Sequence, residues 1–189
     1  MEWVNNASEL NYVFSGNPEA FGSFQKLMVS ISDHTATDQS FINYLNSGGN
    51  LEDIFKYCDD GHIIVVTIPD LIIQSGHLSI LKCIIELKPA LINFHDGIST
   101  ILARAISYNN DDMAYYLIDK GADINAECYK HKDALHFAIY NSNKKMVKTL
   151  IENGADINRD YRYNDCLSVA LTQAIVSETL LFKKAPEKK

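Results

Sequence analysis

One phrase occurs twice at a fixed distance and limits what this chain can become. Residues 117–125 read Leu-Ile-Asp-Lys-Gly-Ala-Asp-Ile-Asn, residues 150–158 read Leu-Ile-Glu-Asn-Gly-Ala-Asp-Ile-Asn, and Gly121 and Gly154 stand 33 positions apart. A period of this length marks a supersecondary unit that cannot bury its apolar face alone. Such units stack, and about three or more are needed to make a continuous core. The apolar positions keep the same period of 33 through three units, as Pro69/Ile72/Ile73, Leu102/Ala105/Ile106 and Leu135/Ala138/Ile139. A second set follows each, as Ile80/Leu81/Ile84/Ile85, Met113/Ala114/Leu117/Ile118 and Met146/Val147/Leu150/Ile151. The spacing i, i+1, i+4, i+5 puts one apolar stripe on a helix, so each unit is predicted as a helix pair. Thr67, Thr100 and Asp133 precede the first helices and can accept from the orphan N–H groups of the first turn. Gly121 and Gly154 follow the second helices, where a left-handed residue is needed.

Leu135-His136-Phe137-Ala138 fits the L-H-x-A part of T-P-L-H-x-A, and Asp133-Ala134 replace its Thr-Pro. With the 33-residue period, the chain resembles the ankyrin repeat. The resemblance implies an all-α fold, a solenoid of about four to five helix pairs with short hairpin tips. It also implies a non-enzymatic module that binds a partner protein through those tips and the exposed face of the first helices. Mapped on this chain, the tips are residues 95–98, 126–130 and 159–164, and the helix-face positions are Gln74/Ser75, Ser107/Tyr108 and Tyr140/Asn141. The partner-binding candidates are therefore Tyr108, Tyr129, Lys130, Tyr140, Arg159, Tyr161, Arg162 and Tyr163. Tyr and Arg bury large area while keeping a polar handle, as interface anchors do. The resemblance further makes Asn125 and Asn158 candidates for asparaginyl hydroxylation, with Leu117 and Leu150 eight residues before them. The structural alternative is an Asn closing a turn by side-chain hydrogen bonds.

The rest of the chain is less regular. Residues 1–17 fit no single period, and a short helix ending at Gly16 is one reading. Asn17-Pro18-Glu19 starts a helix carrying Phe21, Phe24, Leu27, Met28 and Ile31, and Thr37-Asp38 starts another that ends at Gly48-Gly49. Residues 1–51 are thus expected to cap the stack. Residues 52–68 break the period as an irregular insertion. Residues 51–57 read there as a helical turn, residues 58–62 as a turn, and residues 63–68 as a β-branched extended run. The repeat units are expected at about 52–94, 95–127, 128–160 and 161–185. Pro89 requires a different turn in the first of them. The last has either one helix or two, and residues 186–189 form a disordered tail.

Charge and composition narrow the function. The net charge is −7, and the last seven residues alone contribute four Lys against one Glu. An acidic body argues against a nucleic-acid groove, which needs clustered Lys and Arg, and suits a basic protein partner. No run of about 18 apolar residues predicts a membrane span. Residues 1–6 lack the basic start of a signal peptide. Cys58, Cys83, Cys128 and Cys166 form no C-x-x-C clip and read as free thiols of a reducing compartment. A monomer in the cytoplasm is expected. The bias to Ile, Asn, Lys and Tyr with three Arg suits an A+T-rich genome, such as a virus or an intracellular bacterium whose effector meets host cytosol.

No cofactor or metal is expected. The six His show no i, i+4 pair, and no phosphate-binding Gly motif occurs. His136 and His77 read as structural. Cys58-Asp59-Asp60-Gly61-His62 is the one cluster with nucleophile and base, against an ordinary Asp-Gly turn. Two alternatives to the binding module follow. One is an enzyme using residues 52–68. The other is an adaptor whose N-terminal helices recruit a ubiquitin-ligase component, since residues 17–21 resemble an F-box start without its Leu-Pro.

Overall fold

The computed structural model describes residues 13–15, 18–32, 35–50, 54–59 and 62–157. Among these are eight α-helices in four sequential pairs and one three-stranded sheet, so the class is all-α. The predicted fourth first helix, the tail and the tip at 159–164 lie outside the described residues. The chain divides into two compact units, Met1–Pro89 and Ala90–Lys189.

The first unit holds β1 (Val13–Ser15), α1 (Phe21–Ser32), α2 (Asp38–Asn46), β2 (Ile54–Asp59), β3 (His62–Thr67), α3 (Ile68–Ser75) and α4 (Leu78–Leu87). The strands lie in the order β1-β2-β3, all antiparallel, with Phe14 opposite Phe55 and Lys56 opposite Val65. This corrects three expectations. Residues 13–15 form a strand where a helix ending at Gly16 was one reading. Residues 54–59 are a strand, not a helical turn. The expected turn at 58–62 is corrected at its ends, because Cys58 and Asp59 belong to β2, His62 belongs to β3, and Asp59 pairs with His62. The physical reason is that the β-branched and aromatic residues of 54–59 and 62–67 favour strands. The insertion that breaks the repeat period is a hairpin.

The helical part of this unit follows its caps. Thr67 is fully buried; its hydroxyl accepts from the Asp70 N–H at 3.3 Å and donates to Asp70 Oδ2 at 2.8 Å, a reciprocal box that starts α3. Gly76, at φ +76, ends it. Asp38, at the start of α2, receives His77 Nδ1 at 3.0 Å and the Ser79 hydroxyl at 2.5 Å from the start of α4. Phe41 meets the His77 ring edge-on at 5.2 Å. His77 is therefore a structural link, as its place in the repeat suggested. Tyr44 is fully buried against Gly49, where any Cβ would fall 2.3 Å from the ring. That contact, beyond helix termination, is what Gly49 supplies.

The second unit holds α5 (Ile101–Ser107), α6 (Asp111–Asp119), α7 (Ala134–Tyr140) and α8 (Lys144–Glu152). The predicted stripes are its core: Leu102, Ala105, Ile106, Leu135, Ala138, Ile139, Met113, Leu117, Met146 and Leu150 are all buried. Helix α5 packs on α6 and on α7, and α7 on α8. Thr100 and Asp133 cap as expected, accepting from the N–H of Ala103 at 3.2 Å and of His136 at 2.8 Å. Gly121 and Gly154 have φ of +86 and +93, the left-handed turn their position demanded. A 3-10 turn, Pro89–Asn93, stands where Pro89 required a different one.

Successive units are tied by polar bonds as well as by the stripes. Asn93 Oδ1 accepts from the Asp123 N–H at 2.8 Å, and Asn125 Oδ1 accepts from the Asp156 N–H at 2.8 Å. Asn125 Nδ2 also donates to the Gly154 carbonyl at 3.0 Å. The asparagine thus bridges to the following phrase. Its own turn is closed by Asp123, whose Oδ1 accepts from the Asn125 N–H at 2.9 Å. The Asn125 side chain does make hydrogen bonds in a turn, and that turn belongs to the following phrase. Asn141 adds a further tie, donating to the Ile106 carbonyl at 2.7 Å.

Candidate functional site

Two pinched tips precede α5 and α7. His95 pairs with Thr100 across the first, and Cys128 with Lys132 across the second. Asp96 organises the first tip with both oxygens. Oδ1 accepts from the N–H groups of Ile98 and Ser99, each at 2.7 Å, and Oδ2 receives Arg104 Nη2 of α5 at 2.7 Å. The Asp96 side chain is only 2% exposed. Burial pushes its carboxyl up, but the Arg104 guanidinium and the two N–H donors outweigh this and hold its pKa below the ordinary 3.8.

The tips are also fastened to each other. His95 Nδ1 accepts from the Gly97 N–H at 2.9 Å, so the ring proton is assigned to Nε2, which donates to the Glu127 carbonyl at 3.1 Å. The Tyr129 N–H donates to the Ile98 carbonyl at 2.7 Å. Lys130 and His131 then adopt φ of +60 and +57, two successive left-handed residues without glycine. Each costs of order 1 kcal/mol or more and is held by the surrounding bonds, including the hydrogen bond of His131 with Glu127.

Between these tips and the helix faces lies a cleft of about 240 Å³ lined by Ile98, Arg104, Tyr129, Lys130, Lys132 and Phe137. Lys130 Nζ lies 5.5 Å from the Tyr129 ring centroid, and Lys132 Nζ 5.6 Å from that of Phe137. Of the sequence candidates, Tyr129 and Lys130 line the cleft. Tyr108 and Tyr140 stand four residues after Arg104 and three after Phe137, spacings that share a helix face with the cleft wall. Tyr129 is 63% exposed, Tyr140 79% and Tyr108 42%. Arg159, Tyr161, Arg162, Tyr163 and Asn158 lie outside the described residues.

The sequence reading missed Lys132, Phe137 and Arg104 as lining of this cleft, while Ile98 lies in the expected tip 95–98. A signal existed: Arg104 and Phe137 are 33 apart, as are Ser99 and Lys132, so the surface positions keep the same register as the core ones. The alternative chemistry finds no support in the hairpin, where Cys58 pairs with Ile63 and His62 with Asp59, so Cys58 and His62 do not stand opposite one another. His136 is buried and meets Phe137 edge-on at 5.6 Å. Among the described residues, no group of three His, Cys, Asp or Glu could hold a metal ion, and no helix is long and apolar enough to cross a membrane.

Residues 71–161 match the family model for ankyrin repeats, in three copies. No curated protein matches the chain.

Proposed function

We propose that this ankyrin-repeat protein binds a partner protein through its tips and the exposed face of its first helices. Ankyrin repeats are protein–protein interaction modules and a non-catalytic fold, so the reading concerns which surface is used and by which residues. The observation that carries it is the exposure of three large aromatic side chains, Tyr108, Tyr129 and Tyr140, in a unit whose apolar stripes are otherwise buried. Tyr129 and Tyr140 stand mostly outside the buried stripes that stack the repeats. Each keeps a hydroxyl for a polar contact while offering a large apolar ring. The mutual bonds of the two tips hold Tyr129 and Lys130 in place before any partner arrives, which lowers the entropy lost on binding. The Tyr and Arg residues at 159–163, which stand 33 positions after residues 126–130, are assigned to the same binding role.

The test is affinity capture followed by titration. The wild-type chain is used as bait, and the proteins it captures are identified, purified and titrated against it and against a Tyr129→Ala/Tyr140→Ala variant. The variant is expected to bind at least about thirtyfold more weakly, equivalent to about 2 kcal/mol, with its melting temperature unchanged. A purified partner that binds both chains equally would place the interface elsewhere.

A further inference from the structure

We infer that the cleft between the two tips receives an acidic peptide segment, in which a carboxylate side chain lies beside an apolar one. This rests on the binding-module reading and adds the chemistry of the occupant. The chain as a whole is acidic, at −7, yet this cleft is lined by Arg104, Lys130 and Lys132. The nearby carboxylates are already engaged. Asp96 holds Arg104, Glu127 pairs with His131, and Asp133 is buried as the cap of α7. Among the described residues no carboxylate lies within ion-pair distance of Lys130 or Lys132, whose ammonium groups face the rings of Tyr129 and Phe137 instead. Among the described residues, two cations at the wall of one cleft thus have no carboxylate partner. A ring face attracts a cation but leaves most of its donors open, so each lysine can still take a carboxylate.

The apolar part of the wall decides between anions. Ile98, Tyr129 and Phe137 give a surface that a phosphate chain cannot use and an apolar side chain can. Nucleic acid, moreover, gains affinity by neutralising many phosphates, and here two lysines without a carboxylate partner among the described residues sit on a strongly acidic chain. An acidic peptide needs only one or two such pairs, with the ring and Ile98 contacts supplying the rest. The left-handed backbone of Lys130 and His131 fixes the direction in which the tip presents its charge. Net charge alone suggested a basic partner; the local distribution points to an acidic one.

The experiment probes an array of random twelve-residue peptides with the labelled full chain, beside a Lys130→Glu/Lys132→Glu variant, a Lys130→Glu single variant and a Tyr129→Ala variant. Lys130 is exposed, so the single variant keeps the test valid if the double one loses its melting transition. The expected result is enrichment of Asp and Glu, next to an apolar residue, among peptides bound by wild type. The best of these should bind the double variant at least tenfold more weakly in titration, and wild type should weaken as salt rises. Bound peptides without acidic enrichment, which still lose affinity on Tyr129→Ala, would overturn the acidic occupant while leaving the binding surface standing. Bound peptides indifferent to all three variants would overturn both. Single-stranded DNA binding more tightly than the best peptide, and lost on charge reversal, would put the wrong polymer in the cleft. A wild-type chain that sediments as a dimer, with the reversed variant a monomer, would put a second copy there.

Discussion

At the scale of single residues, Asp96 carries the most. Its two oxygens close a tip and pin the first helix that follows, so its removal leaves a turn unclosed and Arg104 without its 2.7 Å carboxylate. Asp96→Ala is expected to cost about 1.5–3 kcal/mol at pH 7, the range for hydrogen bonds to a charged group. The sign with pH follows from the lowered pKa. The folded state holds the ionised form more tightly than the unfolded chain does, so the stabilisation is complete above the ordinary 3.8 and is lost as pH falls below it, through the folded value. Urea unfolding of both chains from pH 7 downward should show a constant difference that narrows only below pH 3.8. A gap that narrows already near pH 6 would assign the effect to a histidine instead. Lys132, Phe137 and Arg104 show the other side of the residue scale. They were legible as register positions but silent as a site, because nothing in a sequence says that an Arg will be tied up by an Asp while a Lys is left over.

At the scale of elements, the repeat separates side chains that stack from side chains that are free. Leu135 on α7 is 1% exposed and Tyr140, five residues later on the same helix, is 79% exposed. Leu135→Ala should cost about 2–5 kcal/mol through lost transfer energy and the cavity left behind. Tyr140→Ala should stay within about 0.5 kcal/mol, as for a surface change that touches no special feature. Thermal and urea unfolding of the two variants measure this contrast directly, and comparable losses would mean that Tyr140 packs in the folded chain. Helix starts and ends were largely legible in the chain, since Thr67, Thr100, Asp133, Gly121 and Gly154 all act as caps where their types and spacing placed them. The strands were less so. The β-branched run at 63–68 read as extended and lies largely in β3, whereas residues 51–57 read as a helical turn and 54–57 belong to β2. Pairing partners 10 or more residues apart decide a strand, as with Val13 and Lys56, and local propensity carries little of that.

For the whole molecule, charge is the property that a sequence states most directly. At −7 the copies repel one another at neutral pH, and the isoelectric point near 5.3 brings that repulsion to zero. Light scattering after gel filtration should find a monomer at pH 7.5, with association and loss of solubility as pH approaches 5.3. An oligomer already present at pH 7.5 would show an interface strong enough to override the charge.

The repeat period, the buried stripes and the caps were determined by the sequence alone, because each depends on residues within one or two helical turns and recurs every 33 positions. The cleft was decided only by the tertiary structure. It draws on Ile98 of one tip, Lys130 and Lys132 of the next, and Arg104 and Phe137 of two helices. Whether those cations are spent or free depends on which carboxylates reach them, and that is a matter of distances in the folded chain.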